Sequence, residues 1–500
     1  MLLKVHRTAN AAKEKDFDHH AHVIVVLPKA DADLRKTPFP YAETLAQRLR
    51  RQDQKQWPSA PLTVDLPNAA GTRATLATVS PLASTFELLT LARKLVTPHT
   101  EQRPETLGIA LVGLDDTLAK RCAEALLAAL HAATFRLPTY KRDKSPARET
   151  RSIAVTVYGC DNSLNVERLA AEADGNNLAR RLTSLPPNYL TPLLYRKEIE
   201  KLAKEHNWRM TFYDMKRLRK ENCGAFLAVA QGSENDEAGI VHLRYAPRGK
   251  ATERGLALVG KGVCFDTGGN NLKPAKSMHG MHEDMEGSAV ALGTLLALSR
   301  LQVDFPIDCW LALTENLIGP RAFKQNDVVT ASNGTHVEIV HTDAEGRLIL
   351  ADTLHLVSRQ KPRLIVDYAT LTGACVYALS TRYSGAFCNR PVLHDLALQA
   401  GRDSGERVWP FPMDDDFDTD LESQVADIKQ CTLAGEADHI LAARFLNRFV
   451  ANTPWLHIDL AAGNNKGGLA HIPSDITGFG VRFTLNLLID QGALEKLDEV

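Results

Sequence analysis

The sequence predicts an α/β protein of two domains, a smaller N-terminal one and a larger C-terminal one with a mixed, mostly parallel sheet flanked by helices. Three observations carry this expectation. At 500 residues the chain exceeds what one hydrophobic core usually organises. Strand-like apolar runs alternate with helical patterns along its length. The later runs are apolar at successive positions, as strands covered on both faces must be.

In order, HVIVVLP (22–28) reads as a buried strand and 41–52 as a helix. LGIALVGL (107–114) is a second strand, followed by the helical run TLAKRCAEALLAALHAA (117–133), and IAVTVYG (153–159) is a third. Asp115 and Asp116, after a strand and before a helix, fit a helix cap. VERLAAEADGNNLARRLTSLPPNYLTP (166–192) is a long helical pattern stopped by Pro186 and Pro187. This places an N-terminal domain at 1–165, a helical connector at 166–185 and a second domain at 186–500. The second domain has strand signals at RMTFYD (209–214), AFLAVAQGS (225–233), GIVHLRYA (239–246), GLALVGKGVCF (255–265), DCWLALTEN (308–316), RLIVDYATLTG (363–373) and WLHIDLAAG (455–463). Helical patterns lie between them at 288–301, 347–360 and 442–452. In such sheets a site is expected in the loops at the carboxyl ends of the strands.

Composition narrows the classes. With 59 Lys and Arg against 60 Asp and Glu, net charge −1, nothing draws the whole molecule to nucleic acid or an anionic membrane. The basic runs RLRRQDQK (48–55) and KRLRK (216–220) fit solvated helix faces. The N-terminus, MLLKVHRTANAAKEKDFDHH, is too polar for a signal peptide, and no apolar run approaches the roughly 20 residues that span a bilayer. The eight cysteines are scattered without a CxxC pair, which suggests buried free thiols in a reducing compartment. A cytoplasmic location is expected.

Chemistry concentrates in three strand-end segments. VGKGVCFDTGGNNLKP carries Lys261, Asp266 and Lys273, with Gly262, Gly268 and Gly269 suggesting a tight loop. MHGMHEDMEGS carries Asp284. HTDAEGRL (341–348) carries Asp343, Glu345 and Arg347 at every second position, which in an extended segment would share one face. Clustered acids repel unless something positive lies between them, and four carboxylates carry about the charge that two divalent cations neutralise. Paired metals about 3.5–4 Å apart are a recurrent hydrolytic device. His279 and His282 at i and i+3 lack an HExxH context, and Cys264 fits a packed strand position.

VGKGVCFDTGGNNLKP, MHEDMEGSA and HTDAEGRL, in this order and spacing, strongly resemble the leucyl (cytosol) aminopeptidase family. The likeness extends to ARRLTSLPPNYLTP (179–192), CGAFLAVAQGS (223–233), DYATLTGA (367–374), VWPFPM (408–413) and WLHIDLAAG (455–463), so it covers roughly 175–490. The resemblance implies two divalent ions, zinc or manganese. Lys261, Asp266, Asp284 and Glu345 would hold one, and Asp266, Asp343 and Glu345 the other. It further implies that Lys273 stabilises an oxyanion and that Arg347 holds a bicarbonate acting as base. The substrate would be a peptide with a free N-terminus, its side-chain pocket at Met281, Thr370, Gly373, Ala461 and Asn464, in a homohexamer. The chain departs from the family pattern at His282 (usually Lys), Glu286 (usually small), His341 (usually Asn), Asn270 and Asn271. Two alternatives stay open: a DNA-binding role, which near-zero net charge disfavours, and another two-metal hydrolase such as a dipeptidase.

Overall fold

The computed structural model describes residues 3–29, 34, 39–51, 60–102, 104–142, 152–161, 163–233, 237–250 and 252–498. Residues 52–55 of the first basic run, residue 52 of the predicted helix and the first two residues of the polar N-terminus lie outside them. The chain divides into two compact units. One comprises Met1–Ala173 and Lys466–Ser474, the other Asp174–Asn465 and Asp475–Val500. The division falls inside the Val166–Thr183 helix.

Among the described residues the first unit has six strands, β1 (Leu3–Thr8), β2 (His22–Pro28), β3 (Leu62–Asp65), β4 (Arg73–Val79), β5 (Thr106–Leu111) and β6 (Ile153–Tyr158). Their order is β1-β6-β5-β2-β4-β3, parallel except for β3. The Thr85–Thr100 and Asp116–Thr134 helices pack on each other. Asp115 caps the second, accepting the Leu118 N–H at 2.9 Å.

The second unit holds β7 (Arg209–Asp214), β8 (Gly239–Tyr245), β9 (Leu256–Asp266), β10 (Ile307–Asn316), β11 (Val328–Thr330), β12 (His336–Glu338), β13 (Leu364–Ala369), β14 (Ser384–Cys388), β15 (Val408–Pro410), β16 (Ile428–Lys429) and β17 (Trp455–Asp459). Its main sheet runs β15-β14-β17-β13-β9-β10-β8-β7. The central strands β17, β13, β9 and β10 are mutually parallel, while β14, β8 and β7 pair antiparallel. The Glu286–Arg300 helix packs on β9, β10 and β13, and the Glu345–Ser358 helix packs on β9 and β10. Both helices are buried nearly all round, which explains their weak amphipathic signal.

One predicted strand is a helix. Residues 225–230 of AFLAVAQGS lie in the Gly224–Ala230 helix, because a short apolar run carries no period that separates strand from helix. Tertiary hydrogen bonds decide the case. Asp352, fully buried, accepts the Phe226 N–H at 2.8 Å on one oxygen and the Ser332 N–H at 2.6 Å on the other. Asp352→Ala would strand both donors, so the unit should lose about 2–4 kcal/mol of stability; urea unfolding measures it.

All eight cysteines are free, and all but Cys388 are buried. KRLRK lies on the Met215–Lys220 helix, with Lys216, Arg219 and Lys220 exposed and Arg217 over the Tyr213 ring. No helix among the described residues is long and apolar enough to cross a membrane.

Candidate metal centre and substrate cavity

The site sits at the carboxyl ends of β9, β10, β13 and β17, where a parallel sheet opens its loops. Lys261 and Asp266 both come from β9, five positions apart, which in a regular strand would send them to opposite faces. A bulge resolves this. Val263 pairs with Thr314, but Asp266 pairs with Asn316, so β9 holds one extra residue between them. Gly260 and Gly262 face Ser288 on the Glu286–Arg300 helix, while Lys261 faces Gly346 on the Glu345–Ser358 helix. The extra residue turns Asp266 to the Lys261 side.

Beyond Asp266 the chain enters left-handed backbone at Gly268 (φ +85°) and Gly269 (φ +63°). A Cβ on Gly268 would come within 2.8 Å of Asp343 Oδ1, so this glycine lets the loop press against HTDAEGRL. Asn271 clamps the two segments: its N–H donates to Thr342 Oγ1 at 2.8 Å and its Oδ1 accepts the Thr342 N–H at 2.9 Å. His341 Nδ1 takes the Asp343 N–H at 3.2 Å, a local turn bond that an Asn side chain could also make.

HTDAEGRL is not extended. Residues 341–344 form a turn, closed by Ala344 N–H to His341 O at 3.1 Å, and the helix begins at Glu345. Asp343 and Glu345 still converge, but through a turn and a first helical residue. Arg347 is thereby carried away from them. Its Nη2 donates to both Asp438 oxygens at 2.9 Å and its Nη1 to Gln430 O at 3.0 Å, leaving Nε buried and unpartnered.

The four acids and two lysines do meet. Asp266, Asp343 and Glu345 each bring an oxygen within 4.8 Å of the others. Lys273 Nζ lies 2.9 Å from Asp266 Oδ2 and 2.5 Å from Asp343 Oδ1. Lys261 Nζ lies 2.7 Å from Asp284 Oδ1 and 3.1 Å from Glu345 Oε1, and donates to Thr370 O at 2.9 Å. Asp284 Oδ1 also accepts Thr370 Oγ1–H at 2.7 Å, while its Oδ2 is buried without a partner. Burial pushes the Asp284 carboxyl up to about 6 and Glu345 to about 8, and raises Asp343; the lysines oppose this only in part. Burial works against both lysine ammonium groups, but their carboxylate neighbours outweigh it and hold each above the ordinary lysine value.

With all four acids ionised, four carboxylates against two ammonium groups would leave two negative charges in a buried pocket, a state that further cations would offset. The oxygen-rich donors, the orphaned Asp284 Oδ2 and the amine of Lys261 fit divalent metal.

Lys261, Asp266, Lys273, Met281, Asp284, Asp343, Arg347, Thr370, Gly373, Ala461 and Asn464 all line one cavity of about 640 Å³. Glu345 lies buried beside Lys261. His279 and His282 do not line the cavity. Three supporting residues escaped the sequence reading. Asn316 ends β10 opposite Asp266 and donates from Nδ2 to Asp266 Oδ1 at 2.8 Å and to Thr342 O at 3.0 Å. Asp459 ends β17 and accepts from Leu371 N–H at 3.1 Å and Thr372 Oγ1–H at 2.7 Å, fixing the turn that presents Thr370. Asp438 holds Arg347. Each of the first two is a polar residue closing an apolar parallel strand, a signal the sequence carries.

Fold and cluster together define an α/β protein whose buried acid cluster, at the carboxyl ends of parallel strands, suits divalent metal. A model of the cytosol aminopeptidase family catalytic domain matches residues 177–485, and the chain belongs to that family. It is 39% identical over 396 residues to the probable cytosol aminopeptidase of Syntrophotalea carbinolica, covering 78% of this chain and 79% of that one. Against the protein of the same description in Stutzerimonas stutzeri it is 41% identical over 338 residues, 65% and 67% of the two chains. A solved structure, the bottromycin maturation enzyme BotP in complex with Mn, superposes with a TM-score of 0.80 at 30% identity, covering 94% of this chain and 99% of that one. The protein is thus a metallo-aminopeptidase acting on peptides.

Proposed function

We propose that the enzyme releases N-terminal residues from peptides with two divalent ions, zinc or manganese. Lys261, Asp266, Asp284 and Glu345 hold one, and Asp266, Asp343 and Glu345 the other. The observation that carries this is the meeting of four acids and two lysines at one sheet edge. Bound there, the ions supply Lewis-acid polarisation of the scissile carbonyl and an acidified water. Lys261 gives up its proton to serve as an amine ligand, a change on the order of 4–5 kcal/mol from the ordinary lysine value to neutrality. Lys273 keeps its proton and donates to the oxyanion that develops on the carbonyl oxygen. Arg347 holds bicarbonate as the base; the residue lines the cavity and its Nε has no hydrogen-bond partner.

The N-terminal side chain lies against Met281, Thr370, Gly373, Ala461 and Asn464, and the substrate's free amino group is read at the acid cluster. The assembly is a homohexamer and the location cytoplasmic. Metal-loaded protein should hydrolyse aminoacyl amides and leave their N-acetylated counterparts intact. Equal turnover of blocked and free substrates would overturn the exopeptidase assignment.

A further inference from the structure

Glu286 opens the Glu286–Arg300 helix, is only 1% exposed and lines the substrate cavity. Its Oε1 has no hydrogen-bond partner. The carboxylate lies hard against Gly463, where a Cβ would come within 2.2 Å of Oε2. That puts it beside the turn carrying Ala461 and Asn464. A second acid stands at the same wall: Glu283 Oε2 accepts Asn464 Nδ2–H at 2.7 Å. Among the described residues no ion pair holds Glu283 or Glu286. The wall therefore presents two acids, one of them with an oxygen that no donor reaches.

We propose that this wall selects an N-terminal residue with a cationic side chain, lysine or arginine, over leucine, and that Glu286 sets the preference. Leucine would bury methyl groups against an oxygen that has lost water and gained no donor. An ammonium or guanidinium supplies both the missing donor and the opposite charge, while its aliphatic stem packs on Met281. The inference rests on the aminopeptidase reading above and deepens it.

The test is a panel of lysyl, arginyl, leucyl and methionyl p-nitroanilides with Mn²⁺-loaded full-length protein. Lysyl and arginyl substrates should exceed leucyl in kcat/KM by about tenfold or more. Glu286→Gln and Glu286→Gly should each shrink that ratio by about tenfold, mainly by raising KM for the basic substrates. A wild-type preference for the leucyl or methionyl substrate overturns the inference while leaving the aminopeptidase reading intact, and needs no variant to fold. An unchanged ratio in both variants removes Glu286 as its source. Turnover of none of the four fells both readings.

Discussion

Glu345→Gln should abolish amide hydrolysis, lowering kcat/KM at least about 10³-fold, or roughly 4 kcal/mol of transition-state stabilisation. The substitution keeps the shape of a fully buried side chain and changes only its charge. That charge has two jobs in the geometry. One oxygen balances Lys261 at 3.1 Å, and another lies 3.4 Å from Asn316 Nδ2, so the carboxylate stands where the Lys261–Asp284 and Lys273–Asp266–Asp343 pairs adjoin. An amide there supplies no negative charge to either proposed ion, so metal content after dialysis should fall with activity. Full activity with normal metal content would sink the assignment of Glu345 as a shared ligand.

Lys273→Ala should behave differently. Turnover should drop about 10²- to 10³-fold, the size of losing one donor to a developing oxyanion, while metal content stays close to wild type. The reason lies in what Lys273 touches. It offsets Asp266 and Asp343 from one side, and removing that cation makes the pocket more negative, which favours bound metal rather than releasing it. Activity and metal content should therefore part company, with kcat falling much more than KM changes. If both fall in step, Lys273 is an electrostatic strut of the metal pocket rather than a donor to the substrate.

Much of this was legible from residue order. The long strands and the three charged segments could be read because burial on both faces leaves continuous apolar runs, and because a site at parallel strand ends must be charged. What sequence hid were features set by tertiary contacts. AFLAVAQGS gives no sign that Asp352, over a hundred residues away, holds its first helical turn. The every-second-residue pattern of Asp343, Glu345 and Arg347 suggested one shared face, yet the Asn271–Thr342 clamp makes a turn there, and Arg347 finds Asp438 instead. Glu286 stood out as a departure from the family pattern, but only its position against Gly463 connects it to the substrate wall.

The extra residue in β9 has a consequence for how this chain can change. Between Val263 and Asp266 the number of residues matters more than their identity. A chain shortened by one there would regain a flat strand, keep Lys261 in place and rotate the carboxylate toward the Glu286–Arg300 helix, into apolar packing with no cation to meet it. Length in this segment is thus under tighter constraint than side-chain type. Transplanting the site onto another parallel sheet would require copying an irregularity of the backbone as well as six side chains.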